Sequence, residues 1–360
     1  MATAAASAGY YSAMIKNPIV RSVIGAAVLL GICGVQTVSA QSWAQFQSPK
    51  PNPLPMIARS VIPEVEGRMG RLAMDQKSGR LYVAALRDGS LRVLDHTLMK
   101  IAQVVPNLPE PQGVLMLEDQ RRLLVSCGDG SVRVFKLADD GAATEERKVF
   151  FGGEADAIRY DERNKRAWVG HGKFVTSFDP ATGEKAKTID MPGMTDGLAV
   201  EQRGTRVFVN VGSEGKILVI DKDKNAIDAT WTLKDAKGNN PIDLDEDNGR
   251  LFIASRNPGR LIVLDSADGK EITRLPIGED ADDLWYDRVG TRIYVSCGGG
   301  AGEVSIAKQD SKDTYTMWAR EATTAGSRTS VLIPQKRRYI VIAPKSGDTP
   351  CFVFIYVIAP

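Results

Sequence analysis

The sequence predicts an all-β fold, a seven-bladed β-propeller built from four-stranded blades. Three observations lead to this prediction: strand-like triplets that recur every 40 to 46 residues, turn residues between them, and a high glycine content, 34 in 360 residues. Such a period matches four short strands, the size of one propeller blade. The recurring triplets are Leu81–Val83, Leu123–Val125, Ala167–Val169, Val207–Val209, Leu251–Ile253, Ile293–Val295 and Tyr339–Val341.

The same order of elements returns within each unit, as the fourth unit illustrates. A short apolar strand (Leu198–Val200) is followed by a turn at Gly204 and by the recurring triplet. A third strand (Ile217–Ile220) and an outer strand (Thr230–Leu233) complete the unit. These runs are rich in β-branched and aromatic residues and lie between Gly and Asp residues, which favours strands over helices.

Several third strands end in an aspartate that is followed by turn residues. An Asp side chain can accept a hydrogen bond from the backbone two residues further on, so we interpret these residues as turn formers and not as catalytic acids. They are Asp95, Asp179, Asp221 and Asp265.

The two ends of the repeat region are expected to close the ring together. The last unit, from about Gly326, has room for only three strands, whereas the segment Met56–Ile62 precedes the first unit in the place of an outer strand. An N-terminal strand that completes the seventh blade would remove the exposed sheet edges. Residues 56–360 are therefore predicted to form a single domain.

The N-terminal region has the layout of a secretory signal peptide. Two basic residues, Lys16 and Arg21, precede an apolar run (Ser22–Val35), and the small residues of Val38–Ala40 fit a cleavage site. Residues 1–40 are thus predicted to be removed on export, which places the protein in the periplasm or outside the cell.

A retained membrane anchor facing outside is the alternative for this leader. The stretch Ser22–Ala40 has 19 residues, just within the length that crosses a bilayer. Its glycines and Gln36 make it a poor span. Residues 41–55, rich in Gln, Ser and Pro, are interpreted as an extended linker.

The chain without its leader is predicted to be electrically neutral. The whole sequence has 46 basic and 44 acidic residues, and residues 1–40 contain two basic residues and no acidic one. This balance gives no signal for nucleic acid or for an anionic surface. We expect a monomer that meets the membrane only if the leader is retained.

The usage of histidine and cysteine excludes several kinds of site. The sequence contains two histidines, His96 and His171, so a site with several imidazole ligands is excluded. It contains no Cys-x-x-Cys-His haem attachment, no Cys-x-x-Cys zinc motif and no His-Glu-x-x-His motif. The remaining cysteines of the mature chain lie in strand-like segments and are expected to be free, buried thiols. They are Cys127, Cys297 and Cys351.

The repeats resemble those of the YVTN-type propeller proteins, secreted bacterial proteins with WD-like units. The matching stretches are Arg80–Ala84, Arg250–Ala254 and Arg292–Ser296, each followed by a Val- and Leu-rich strand, and the resemblance covers roughly Met56–Ile358. The resemblance implies the fold, but the family has no single activity. Similar rings occur in quinoprotein dehydrogenase subunits, such as the amine dehydrogenase β chain, and in calcium-dependent lactonases, so the fold does not decide the function.

The entrance of the first strand is the most informative position of the repeat. The first strands of a propeller line its channel, and alignment on the triplets, with a one-residue deletion in the second and seventh units, places seven residues at one equivalent position. These residues are Gly70, Gly113, Asp156, Asp196, Asn240, Asp282 and Thr329. Further charged or polar side chains are expected at the same channel mouth. They are Arg68, Arg71, Asp283, Arg328, Arg256 and His171, the last exposed by its flanking glycines.

Two interpretations of this ring stay open at the level of sequence. Asp156, Asp196, Asn240 and Asp282 offer hard oxygen ligands that could hold Ca²⁺, or could orient a polar ligand. Alternatively, the aspartates accept hydrogen bonds from backbone amides of the neighbouring blade and fix the turn into the strand. His171 has a similar alternative, a solvated loop residue without a role.

We therefore expect a binding or scaffold protein that recognises a small polar ligand, an envelope component or a protein at the channel mouth. The alternative is a metal-dependent hydrolase of the lactonase kind, in which the Asp and Asn ring holds a divalent ion that activates water. A quinoprotein-like redox subunit is a third hypothesis, disfavoured by the lack of haem motifs.

Overall fold

The computed structural model describes residues 52–62, 65, 67–97, 100–236 and 238–359. The predicted signal peptide and most of the predicted linker lie outside the described residues. Within the described part of the chain, no helix is long and apolar enough to cross a bilayer.

The described residues form 28 strands, numbered β1 to β28 in chain order. The N-terminal strand is β1 (Met56–Val61). The first blade contains β2 (Leu72–Asp75), β3 (Arg80–Ala85), β4 (Ser90–Asp95) and β5 (Lys100–Val105). The second blade contains β6 (Pro111–Leu117), β7 (Arg122–Cys127), β8 (Ser131–Leu137) and β9 (Ala143–Phe150). The third blade contains β10 (Ala155–Asp161), β11 (Arg166–His171), β12 (Phe174–Phe178) and β13 (Ile189–Asp190).

The remaining blades follow the same plan. The fourth contains β14 (Gly197–Val200), β15 (Arg206–Val211), β16 (Lys216–Asp221) and β17 (Ala226–Thr232). The fifth contains β18 (Asn239–Asp245), β19 (Arg250–Arg256), β20 (Gly259–Asp265) and β21 (Glu271–Pro276). The sixth contains β22 (Ala281–Asp287), β23 (Arg292–Cys297), β24 (Glu303–Ser311) and β25 (Thr314–Ala322). The seventh contains β26 (Thr329–Ile333), β27 (Arg338–Ala343) and β28 (Phe352–Val357).

The predicted seven-bladed propeller is confirmed. Each sheet has four strands, paired in antiparallel order from the first strand of the blade outward. Neighbouring first strands contact each other in the cyclic order β2, β6, β10, β14, β18, β22 and β26, and β26 contacts β2 again. The first strands therefore surround a central channel.

The recurring triplets form the second strands, which are covered on both faces. Every triplet residue is at most 2% exposed. Hydrophobic clusters fill the space between blades; one of them joins Phe208 of the fourth blade to Ile242 and Leu251 of the fifth. Because both faces of these strands are buried, the triplets are continuously apolar and do not alternate with polar residues.

The third-strand aspartates form turns, as predicted. The carboxylate of Asp95 accepts a hydrogen bond from the backbone of Thr97 at 2.9 Å, and that of Asp179 accepts one from Ala181 at 2.7 Å. Asp221 and Asp265 make the same contact with the residue two positions on. The side chains thereby end the strand and are not available for catalysis.

The ring is closed by the N-terminal strand. β1 pairs with β28 in antiparallel register, so the seventh sheet has the order β1, β28, β27, β26. Residues just before β1, expected in the linker, also belong to the ring. Leu54 is fully buried between the sixth and seventh blades, and the carbonyl of Pro55 accepts a hydrogen bond from Val357 at 3.0 Å.

All three described cysteines are buried and free. Cys127 and Cys297 occupy equivalent places at the ends of second strands, where burial raises the pKa of each thiol to about 12. Cys351 lies in the cluster between the seventh and first blades. These thiols therefore pack as small apolar groups.

Deletion of residues 56–61 is expected to lower the melting temperature by about 5–10 °C and to cause aggregation, because β28 would become an exposed edge. Circular dichroism melts and light scattering would measure both effects. The matched control is Arg59→Ala, which keeps the backbone pairing and removes the cation–π contacts with Phe352, 3.7 Å from the ring centre, and with Phe354, at 5.6 Å. This control should cost at most about 1 kcal/mol. An unchanged melting temperature in the deletion would contradict closure by β1.

Candidate functional site

Four of the seven first strands are bulged at the equivalent ring position. The pairing of first and second strand shifts register between Ala155 and Ile158, around Asp156, and between Ala281 and Asp283, around Asp282. The second and fifth blades have the same irregularity. A bulge twists the strand and re-aims its side chains, so these residues are turned towards the channel by a local feature of the sheet.

Neighbouring blades hold the backbone of the ring in place. The side chain of Ser126 donates to the carbonyl of Asp156, and the amide of Asn210 donates to the carbonyl of Asn240 at 2.8 Å. At two positions the approach leaves no room for a side chain. A Cβ atom on Gly113 would lie 2.3 Å from the Asp156 carbonyl oxygen, and one on Gly70 would lie 2.6 Å from that of Gln112. Glycine is therefore required at these two ring positions, because any side chain would collide with the backbone of the neighbouring blade.

Arg71 reaches across the channel from the first blade. Its guanidinium forms an ion pair with Asp283 and donates to the carbonyl oxygen of Asp282 at 2.8 Å, both in the sixth blade. It also donates to the side-chain oxygen of Asn240, in the fifth blade, at 3.4 Å. The second oxygen of Asp283 accepts a hydrogen bond from the backbone of Ser330 at 2.7 Å. Arg71 of the first blade and Asp283 of the sixth are thus held in place by contacts that also involve the fifth and seventh blades.

A second ionic network links the fifth, sixth and seventh blades. The carboxylate of Asp282 pairs with Arg256 and, at 3.4 Å, with Arg328. Arg328 also donates to both oxygens of Asp280 at 2.8 Å. Burial opposes ionisation of Asp282, but the positive charges of Arg71, Arg256 and Arg328 outweigh it and hold the pKa of Asp282 below its ordinary value. Sequence reasoning missed Asp280, although it lies two residues before a ring position.

Asp156 differs from the other ring residues because its carboxylate receives no hydrogen bond from the described residues. Burial in the channel raises its pKa to about 6; Arg71 opposes this rise, whereas the charges of Asp282 and Asp196 add to it. The backbone of the residue is held by Ser126, but its acidic group is not paired. A desolvated carboxyl group with a shifted pKa, facing a channel, is typical of a functional site.

Asp196 is only partly available. One of its oxygens accepts a hydrogen bond from the backbone of Gly212 in the same blade, at 2.6 Å. Burial raises the pKa of Asp196, against the effect of the Gly212 amide and of Arg256. The interpretation of the ring aspartates as acceptors of backbone hydrogen bonds therefore holds in part for Asp196. The amide that it binds belongs to its own blade and not to the neighbouring one.

Three of the four residues predicted to hold Ca²⁺ use their side-chain oxygens for contacts within the protein. Asp282 is paired with two arginines, Asn240 accepts from Arg71, and Asp196 accepts from Gly212. Among the described residues, no group of three or more His, Cys, Asp or Glu side chains is placed to hold a metal ion. We therefore derive no catalytic step from an ion at this ring.

The channel mouth opens into a cavity of about 390 Å³ beside the first and seventh blades. Arg68, Arg328, Lys345 and Asp280 line this cavity. Below it lies a constriction of about 10 Å³, room for roughly one water molecule, which Asp156 lines. Arg68 is exposed and lines both the cavity and the constriction. The cavity has a size typical of small-ligand sites.

His171 is not part of this mouth. It was expected to be exposed, but its side chain is 1% exposed and is packed between Phe151 and Phe174. Its Nε2 atom lies 2.9 Å from the hydroxyl of Thr176. Burial, together with the charge of Lys185, lowers the pKa of His171 to about 4, so it is neutral near pH 7. The flanking glycines permit close packing of the neighbouring loop and do not expose the ring.

Comparisons with known proteins show the fold alone. No family model and no curated protein sequence matches the chain. A chain in a crystal structure of the mitotic checkpoint complex is similar, with a TM-score of 0.72 and 13% identity, over 87% of this chain and 95% of that one. A chain of Kuenenia stuttgartiensis hydrazine synthase is similar with a TM-score of 0.66 and 15% identity, over 78% and 96%. These similarities agree with the seven-bladed β-propeller fold of this chain.

The variant Asp156→Asn is expected to be more stable than the parent protein at pH 7. A free aspartate titrates near pH 3.9, whereas burial raises the pKa of Asp156 to about 6. Between these values the folded protein retains a proton that the unfolded chain has lost, so the stability contributed by this group falls as the pH rises from about 4 to 6. An Asn side chain does not ionise, so the variant avoids the cost of a buried charge. Denaturant unfolding should show a gain of about 1–3 kcal/mol at pH 7 and almost none at pH 4.

The matched control is Asp283→Asn, which changes a more deeply buried carboxylate that has partners. It weakens the ion pair with Arg71 and should destabilise the protein by about 3 kcal/mol at pH 7. A loss of stability in Asp156→Asn at pH 7 would contradict the view that its carboxylate is unpaired.

Proposed function

We propose that the protein is a binding module whose channel mouth recognises a small polar ligand with both an acidic group and a hydrogen-bond donor. The observation that carries this proposal is the relation of Arg68 to Asp156. The exposed guanidinium of Arg68 lines the mouth cavity and the constriction below it, and the carboxylate of Asp156 faces that constriction without a donor from the described residues.

The charges of the mouth support an acidic group on the ligand. Asp280 is already bound by Arg328 through both of its oxygens, so its charge is neutralised within the protein. Arg68 makes no such contact among the described residues and lies at the cavity rim. A planar guanidinium binds a carboxylate through two parallel hydrogen bonds, which gives both affinity and orientation.

The constriction supports a hydrogen-bond donor as the second feature. Its volume of about 10 Å³ admits a hydroxyl or ammonium group but no larger part of a ligand. Asp156 offers a carboxylate oxygen there when ionised, and its pKa of about 6 means that ionisation changes near neutral pH. Ligand binding should therefore weaken as the pH falls through 6, because the protonated acid accepts hydrogen bonds less well.

Binding at the mouth is favoured over the metal-dependent hydrolase. In the hydrolase hypothesis the oxygens of Asp282 and Asn240 would face an ion, but the structure has arginine side chains against both. The mouth can hold and orient a polar molecule through the groups that are present, and no catalytic step is needed to explain their arrangement.

We also propose that the protein acts outside the cytoplasm. The basis is the signal-peptide pattern of residues 1–40, which lies outside the described residues. N-terminal sequencing of the protein recovered from the periplasm or medium of a bacterial expression host should give Gln41 as the first residue. Recovery of the protein with an intact leader in the membrane fraction would support the retained anchor instead.

The proposed ligand class can be tested with malate, which has carboxylates and a hydroxyl group, and with succinate, which lacks the hydroxyl. Calorimetric titration at pH 7 should show that malate binds more tightly than succinate. Arg68→Gln should weaken malate about tenfold, the loss of a charge-assisted contact. Asp156→Asn should reduce the preference for malate over succinate, because the Asp156 carboxylate is proposed to accept the hydroxyl.

Two controls separate the site from the surface. Arg163→Gln removes an exposed arginine that does not line the mouth and should leave malate affinity unchanged. Asp156→Asn should also reduce the change in malate affinity between pH 5 and pH 7; the part that remains comes from titration of the carboxyl groups of malate itself. Equal malate binding by the parent protein and by Arg68→Gln would overturn the proposed site.

A further inference from the structure

The other end of the channel contains a second polar cavity that the proposed function does not use. It has a volume of about 170 Å³ and lies where the first strands of the third, fourth and fifth blades end. Arg159 lines it, three residues after Asp156 on the same strand and so about 10 Å further along. Arg288, in the turn after β22, lines it from the sixth blade.

The acidic groups of this cavity already have partners within the protein. Asp243 accepts hydrogen bonds from the backbone amides of Leu244 and Tyr286, each at 2.8 Å. The side chain of Glu246 is 7% exposed and pairs with Arg203 at 3.0 Å. The carboxylate oxygens of Asp243 and Glu246 thus have contacts with groups other than Arg159 and Arg288.

The arginines, in contrast, make no ion pair within the described residues, although the charge of Asp243 attracts both of them. Arg159 donates to the carbonyl of the preceding residue, Ile158, at 2.9 Å, and makes no ion pair within the described residues. Arg288 is exposed and has neither a hydrogen bond nor an ion pair in that part of the chain. Burial and the nearby charge of Arg71 lower the pKa of Arg159 to about 10, against the opposing effect of Asp243 and Asp156, and the group stays cationic near pH 7.

We propose that this cavity is a second binding site of the channel, for a small tetrahedral oxyanion such as phosphate or sulfate held between Arg159 and Arg288. Both guanidinium groups line one small cavity, so an anion bound there accepts hydrogen bonds from both of them. The planar donor fork of arginine matches the oxygens of phosphate. The desolvated surroundings of Arg159 strengthen each charge-assisted hydrogen bond.

The size of the cavity indicates an ion and not a larger molecule. Its volume is below the range of about 300–1,000 Å³ that is usual for organic ligands, whereas the mouth cavity of about 390 Å³ lies within that range. The two ends of one channel therefore differ in what they can hold. This inference goes beyond the proposed function and does not depend on it.

The experiment is calorimetric titration of the full-length protein with inorganic phosphate at pH 7.5, at constant ionic strength set with chloride. The parent protein should bind phosphate, and Arg288→Gln should weaken it about tenfold or more, through loss of one charged fork. Arg288→Lys, which keeps the charge without the fork, should give an intermediate affinity. Arg159→Gln should weaken binding at least as much as Arg288→Gln.

The control is Arg87→Gln, which changes an exposed arginine that does not line this cavity and should leave the affinity for phosphate unchanged. Arg288 is exposed, so its variants test the site even if Arg159→Gln does not fold. Absence of phosphate binding by the parent protein, or equal binding by Arg288→Gln, would overturn the proposal. A loss seen with Arg68→Gln and not with Arg288→Gln would place the anion at the mouth and would overturn it as well.

Discussion

The ion pair between Arg71 and Asp283 spans the channel, and the arrangement of the mouth depends on it. Arg71 comes from the first blade and Asp283 from the sixth, so the pair forms only when the ring is closed. Asp283 is 2% exposed, and a carboxylate buried to that degree is stable as an ion only with partners. The partner that Arg71 supplies also reaches Asn240 and the backbone of Asp282. One side chain thereby neutralises and positions a large part of the ring.

Closure of the ring and the charge of the channel are linked. Seven first strands surround one channel, and the polar side chains that they carry are brought close together there. Most of these groups meet the cost of desolvation by pairing: Asp282 with two arginines, Asp243 with two amides. Asp156 at one end and Arg159 at the other make no ion pair among the described residues, so function is expected at these positions.

The sequence predicted the architecture well because a repeated blade repeats its packing. Triplets such as Leu251–Ile253 are apolar at every position since their strand is covered on both faces, and that requirement returns in each blade. The ring position was found in the same way, by alignment. His171 was misjudged because flanking glycines indicate close approach of another backbone as readily as exposure. Asp280 and Arg288 were missed because they lie in loops, which the repeat does not constrain.

The sequence by itself determined the number of blades, the place of each second strand and the strand that closes the ring. These follow from local strand preference and from a period that is visible along the chain. Only the tertiary structure decided which acids are paired and which are free. Arg71 and Asp283 are 212 positions apart in the chain, and the choice between Asp283, Asp282 and Asp156 as its ion-pair partner depends on side-chain reach across the channel. Bulges in the first strands shift these side chains by a few ångströms. Such shifts decide whether a carboxylate pairs with an arginine or stays without a partner.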